Sequence, residues 1–442
     1  GLVGSETLGQ TVGSTFDNKN VGSNKTVTVN SITLADGSNG GLAANYSISA
    51  GQTTTANITA KSLTVSGITA SNKTYDGSTN VTLDASSVAY SGLVSGDTFN
   101  GTYTGAFSDK NVGTGKTVTI TSSYSGADVS NYSVTDQSST TANITAKSLT
   151  VSGITASSKT YDGSTSATLD SASVTYTGLL SGDTFTGSYS GVFANANVGT
   201  GKTVNITSSY SGTDSGNYSV TDQSSTTADI STKALTATAS ASNKTYDGGT
   251  TASTTLILSG FIGSETLTSS TSSSFNNKNV GTGKAVTVNS ITLADGTNGG
   301  LAANYSISAG QTTTANITPK SLTVSGITAS NKIYDGNTVA TLDTTSVTYS
   351  GLVSGDSFAG SYSGLFSDKN IGTGKTVTIS SSYSGSDVNN YTVTDQSSTT
   401  ANITAKSLTV SGITSSNKIY DGNTVATLDS SSVTYSGLVS GD

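Results

Sequence analysis

The string Gly113-Thr114-Gly115-Lys116-Thr117 is the first place where residue types and spacing suggest chemistry. Glycines ahead of a lysine can cradle phosphate, because backbone N–H groups and an ammonium then converge on one anion. That loop needs a further glycine five residues before its Gly-Lys pair. The position holds Lys110, and its equivalents in later copies are Ala196, Lys278 and Lys369. No strand-to-helix context surrounds the string either, so a glycine-bearing hairpin turn is the expectation. Carboxylates recur as well, for example Asp76, Asp84, Asp97, Asp109, Asp128 and Asp136 in one copy. Oxygen ligands suit calcium, which would stiffen a junction between domains. No two of these aspartates share a compact Asp-x-Asp or EF-hand spacing, however. Solvated turn carboxylates and no cofactor are expected, with calcium as the alternative. Zinc lacks its nitrogen and sulfur ligands, since the chain has no His and no Cys. Catalysis lacks a His base, a Cys nucleophile and any Arg, and only two Glu occur, Glu6 and Glu265. A carboxylate pair could support glycoside hydrolysis in principle. An active site copied five times is a poor account of these residues, so no catalytic, metal or cofactor site is expected and the chain reads as a non-enzyme.

What recurs instead is a whole unit. Lysine in the phrase NITAKSLTVSGIT and its variants falls at Lys61, Lys147, Lys233, Lys320 and Lys406, spacings of 86, 86, 87 and 86. A Tyr-Asp-Gly triplet recurs with it, at Tyr75-Asp76-Gly77, Tyr161-Asp162-Gly163, Tyr246-Asp247-Gly248, Tyr334-Asp335-Gly336 and Tyr420-Asp421-Gly422. Asp-Gly is a turn signal whose glycine is free to take positive φ, and a tyrosine beside it suits a core. The triplet is therefore read as a repeat-defining structural turn. A longer period lies above the first. Residues 1–60 match 260–319 at 46 of 60 positions, so two unit types alternate as B-A-A-B-A-A. The boundaries read as 1–60 (partial, B), 61–146 (A), 147–232 (A), 233–319 (B), 320–405 (A) and 406–442 (partial, A). A fixed period of this length is the mark of a repeat architecture.

The elements are strands. Val, Ile, Thr and Tyr are abundant, Arg is absent, and 32% of residues are hydrophobic, in short alternating runs. In residues 61–146 the alternation predicts six or seven strands, near 62–69, 80–91, 97–107, 116–124, 131–137 and 140–146. Period-2 alternation with one wet face points to an antiparallel, Ig-like β-sandwich, with a β-grasp-like unit or a β-solenoid as alternatives. The pairs Asp128/Tyr132, Asp214/Tyr218 and Asp387/Tyr391 have the spacing of a tyrosine corner, in which the phenol ties a strand back to upstream backbone. Between Ile144 and Leu149 the apolar positions switch from even to odd. That change of face predicts one repeat passing directly into the next. Stiff joints of this kind predict an extended rod gaining on the order of 35–40 Å per repeat. No apolar run approaches the length of a membrane span. The net charge of −8, without Arg, opposes binding to nucleic acid or anionic membranes.

The Tyr-Asp-Gly, Asn-Tyr-Ser/Thr and NIT-x-K-x-LT phrases resemble the YDG-type and MBG-type repeats of bacterial surface proteins. Such repeats occur in filamentous-haemagglutinin-like exoproteins and other giant adhesins. The resemblance implies a β-rich stalk module on an exported, extracellular or cell-surface fibre. Its expected partners are neighbouring repeats and other copies of the chain. Glycan or host-surface binding is expected through regions outside this window. Multivalent binding by the repeats themselves, or self-assembly into a biofilm-matrix filament, are the alternatives.

Overall fold

A computed structural model of the chain describes residues 1–411 and 434–441. The triplet Tyr420-Asp421-Gly422 lies outside the described residues. The described chain is all-β, its only helical pieces being single 3-10 turns such as Val129–Asn131.

Residues 61–146 show how one repeat is built. Leu63 and Val65 alternate with Ser and Thr along the strand Lys61–Ser66, so its apolar side chains all face one way and are buried. This strand is central in a three-stranded sheet, between Tyr132–Thr135 and Ala89–Ser91. A second sheet has the order Lys73–Thr74, Ser139–Thr145, Gly113–Ser125, Asn100–Phe107. Its long hairpin sets Phe107 opposite Val118 and Gly101 opposite Tyr124. Thr69–Ala70 and Leu83–Asp84 form a small third pair.

Two features differ from the sequence expectation. The sheets are mixed, not purely antiparallel. Tyr132–Thr135 runs parallel to Lys61–Ser66, and Thr145 pairs in parallel with Thr74. Parallel neighbours need a long crossover, and here most of the repeat lies between the paired segments. The Gly-Thr-Gly-Lys string is a β-bulge inside a strand, not a hairpin turn. Between Gly113 and Lys116 the register advances three residues against two on the partner strand, Ile144 to Ala142. Gly115 takes the left-handed conformation the extra residue requires (φ 59°), and its N–H donates to Asn143 Oδ1 at 2.7 Å. In the first repeat Asn24 holds the same place at φ 53°, asparagine being the side chain that best tolerates it.

Each repeat has two halves. The base half is built on Leu63, Val65, Ile68, Phe99, Ile120 and Tyr132. The tip half is built on Tyr75, Phe107, Val118, Ala142 and Ile144, and it forms one core with Leu149, Val151, Ile154, Phe185 and Tyr218 of the following repeat. Only Ala146 separates strand Ser139–Thr145 from strand Lys147–Ser152. Across it the buried positions pass from Ala142 and Ile144 to Leu149 and Val151, so the chain turns its apolar side over as it crosses.

The chain divides into two compact units. One is Gly1–Ser158 with Thr165–Asn195 and Gly201–Asp229; the other is Lys159–Ser164 with Ala196–Thr200 and Ile230–Asp442. The second unit repeats the arrangement, with Tyr246, Phe275, Val286 and Ile317 in one core with Leu322, Val324, Ile327 and Tyr391. It also takes in the Tyr161 turn and the Ala196–Thr200 loop, so two tip segments of repeat 147–232 group with the repeat that follows.

Candidate functional site

The Tyr-Asp-Gly turn is held from within its own repeat. Asp76 Oδ1 accepts the Ser78 N–H at 2.8 Å and the Lys73 ammonium at 2.8 Å, while Tyr75 N–H donates to Thr145 O at 2.8 Å. Gly77 sits at φ 78°. At the later copies space as well as backbone demands glycine. A Cβ on Gly163 would lie 2.8 Å from Ile262 Cγ2, and one on Gly248 would lie 2.7 Å from Val353 Cγ1. The same turn recurs at Asp162 with Lys159, at Asp247 with Lys244 and at Asp335 with Lys332. Tyr334 is buried like the other triplet tyrosines, and a Cβ on Gly336 would lie 2.6 Å from Val439.

What the turn positions is a phenol aimed into the next repeat. Tyr75 is 1% exposed and its hydroxyl donates to Asp183 Oδ2 at 2.9 Å. Tyr218 of that repeat donates to the same oxygen at 2.5 Å and accepts the Leu180 N–H at 3.0 Å. The two rings meet edge to face, 5.6 Å apart at 79°. Lys110, from the loop between the long strands, sets its Nζ 2.7 Å from Asp214 Oδ1 and 3.4 Å from Asp183 Oδ1. Beside it, Val112 N–H donates to Asn217 Oδ1 at 2.9 Å, and Asn217 Nδ2 donates back to Asn111 Oδ1 at 3.1 Å. Hydrogen bonds between fixed charges and phenols of this kind exceed neutral ones in strength.

The second unit carries the same constellation. Tyr246 and Tyr391 donate to Asp356 Oδ2 at 2.8 and 2.5 Å, and Lys278 lies 3.0 Å from Asp356 and 2.7 Å from Asp387. Val280 N–H donates to Asn390 Oδ1 at 2.9 Å. In the first unit Lys19 meets Asp97 and Asp128 at 2.8 and 2.7 Å. The joint that Tyr161 enters differs. Tyr161 and Tyr305 each take one oxygen of Glu265, at 2.7 and 2.6 Å, while Val198 N–H still donates to Asn304 Oδ1 at 2.9 Å.

The electrostatics follow the contacts. The ammonium of Lys110 and the Thr184 N–H hold Asp214 down at about 2, and Lys278 with the Ser357 N–H does the same for Asp387. Bonding to Asp214 and then to Tyr75 pushes the Lys110 ammonium upward. Burial and then Asp183 push Tyr218 up to about 12; burial and then Glu265 do so for Tyr161.

The hydroxyls of Tyr132, Tyr218 and Tyr391 accept the backbone N–H of Val94, Leu180 and Val353, 38 residues earlier in the chain, and donate to Asp97, Asp183 and Asp356. Asp128, Asp214 and Asp387, four residues before these tyrosines, spend one carboxylate oxygen on the N–H of Thr98, Thr184 and Ser357 and turn the other to lysine.

Sequence reasoning missed Lys110, Asp183, Asn217 and Glu265 as joint residues, although the substitution of Ala196 for a recurring lysine marked the position. Among the described residues no three His, Cys, Asp or Glu side chains gather as a metal would require. Where Asp183 and Asp214 converge, a lysine ammonium already lies between them.

The family model of the YDG domain matches residues 1–56, 59–142, 145–228, 231–315 and 318–401. No curated protein matches the chain. Five matched stretches, each containing or flanking the joints just described, cover most of the sequence: this chain belongs to the YDG domain family, as a tandem array of its repeats.

Proposed function

We propose that the chain is a load-bearing shaft segment of an exported fibre, secreted or held at a bacterial cell surface, and that its role is structural rather than catalytic. One observation carries the reading. At the joints after residues 61–146 and 233–319, two repeats meet through a shared core, a buried phenol and a paired asparagine, with no linker to act as a swivel. A repeat that contacts only its neighbours draws its stability from such interfaces, and stiff interfaces transmit orientation along an array. The hydroxyl-rich, acidic, Arg-free composition gives a surface with little attraction for nucleic acid or anionic lipid, which suits a spacer. Its direct partners are then neighbouring repeats and other copies of the chain, and a glycan or host surface is bound elsewhere on the fibre.

Electron microscopy of the purified protein tests this. Straight particles are expected, with a contour of roughly 35–40 Å per repeat. Compact globules, or beads bending freely at each joint, would sink the reading.

A further inference from the structure

Three described joints join a lysine to two aspartates: Lys19 to Asp97 and Asp128, Lys110 to Asp183 and Asp214, Lys278 to Asp356 and Asp387. At the joint entered by Tyr161 all three positions change together. The lysine is Ala196, the first aspartate is Glu265 and the second is Leu301. We infer that this triple is a matching device that decides which repeat type can follow which. A tip with lysine fits a base with two aspartates, and a tip with alanine fits a base with one glutamate and a leucine.

The charge balance supports the assignment. Counting these three positions only, two carboxylates and one ammonium give −1, and one carboxylate without an ammonium also gives −1. The hydrogen bonding is conserved too. In the aspartate joints two tyrosines meet on Oδ2 of Asp183 or Asp356 and lysine takes Oδ1, which at Asp183 the Tyr75 hydroxyl also approaches to 3.1 Å. In the glutamate joint each tyrosine takes its own oxygen, so no ammonium is called for. Mixed pairings break this balance. An alanine tip on an aspartate base would leave Asp214 and Asp183, whose side chains are only 9% and 6% exposed, without a countercharge. Removing one partner of a buried pair is far more damaging than replacing both. A lysine tip on the glutamate base would set its ammonium beside Leu301 with the only carboxylate already filled. The order B-A-A-B-A-A then follows, since Ala196 stands only on the tip that precedes a B base. The partner recognised is the adjoining repeat of this same chain.

This inference rests on the reading of the joints as structural interfaces, but its test is separate from that of the shaft. In the full chain, compare Lys110→Ala, Asp214→Leu and the double variant, reading amide exchange at Val112. That N–H crosses the joint to Asn217 and touches neither altered side chain. Each single variant should lower Val112 protection at least tenfold, while the double stays within about threefold of the parent, as coupled neighbours do. Ala196→Lys with Leu301→Asp should behave likewise at Val198, with Leu301→Asp alone the more damaging of the two. Val280, which makes the same bond at an untouched joint, should keep its protection in all variants. Multiplying single effects in either double, unchanged protection in the singles, or an equal loss at Val280 would overturn the matching device. The contour seen in micrographs would bear on the shaft alone.

Discussion

The tip and base halves of repeat 233–319 stand in contrast. Its tip keeps the buried set found elsewhere, Tyr246, Phe275, Val286, Ala315 and Ile317, which matches Tyr75, Phe107, Val118, Ala142 and Ile144 of repeat 61–146. Its base does not keep the type A set. In repeat 61–146 the Phe99 ring lies 5.2, 4.9 and 5.8 Å from Tyr90, Tyr124 and Tyr132. In repeat 233–319 Leu258, Leu267 and Thr271 stand in place of Tyr90, Phe99 and Tyr103, Thr254 Oγ1 lies 2.8 Å from Thr271 and 2.7 Å from Ser273, and the rings of Phe261 and Tyr305 lie 5.6 Å apart. Leu256 and Leu258 are only half-buried there. The tip that enters the next repeat is held constant, while the base that receives the tip of the repeat before it changes its packing with repeat type.

The largest effect should come from the aromatic base. Phe99→Ala is expected to cost about 3–5 kcal/mol, whereas Leu258→Ala should cost about 2 kcal/mol, since that smaller side chain is only partly buried. Denaturant unfolding of each variant measures the difference, and equal costs would erase the contrast between the bases. Next comes the tip. Tyr75→Phe keeps the ring packing and removes one hydrogen bond to a carboxylate, a loss of about 1.5–3 kcal/mol. It should appear as faster exchange at Val112 with little change within strand Lys61–Ser66.

Acid should loosen the aspartate joints. Asp214 and Asp387 are held at about 2 in the folded chain, below the usual ~4 of an unfolded carboxyl. Their contribution is therefore complete above about pH 4 and declines as pH falls toward 2. Amide exchange followed down this range should accelerate at Val112 and Val280 more than within strand Lys61–Ser66. A uniform response would remove the distinction. The smallest effect is expected at the most conspicuous motif residue. The Asp76 side chain is 53% exposed and its ion pair with Lys73 is at the surface, so Asp76→Ala should cost no more than about 1 kcal/mol.

Much of this was legible in the residues. The triplet spacing marked the repeats, and the switch from Ile144 to Leu149 marked the crossing between them, because side-chain parity reports directly on which face is buried. Parity does not report the direction of a neighbouring strand, so the parallel pairing of Tyr132–Thr135 with Lys61–Ser66 left no trace in the pattern. Gly-Thr-Gly was ambiguous for a related reason. A positive-φ glycine serves a turn and a bulge equally well, and only the partner strand at Ile144 and Ala142 distinguishes them. The joint residues were the hardest to read. Tyr75 and Asp183 lie 108 positions apart, beyond any local periodicity, and their relation appears only when successive copies are compared for residues that change together.

A tip whose phenol, loop amide and half-core are satisfied only by the next repeat gives the array a direction. When such a chain emerges from its N-terminal side, as from a ribosome, the tip of each repeat waits for its successor to complete its core. Completion travels backward along the chain one interface at a time, while delivery travels forward. Each arriving repeat completes the half-core at the tip of the one before it.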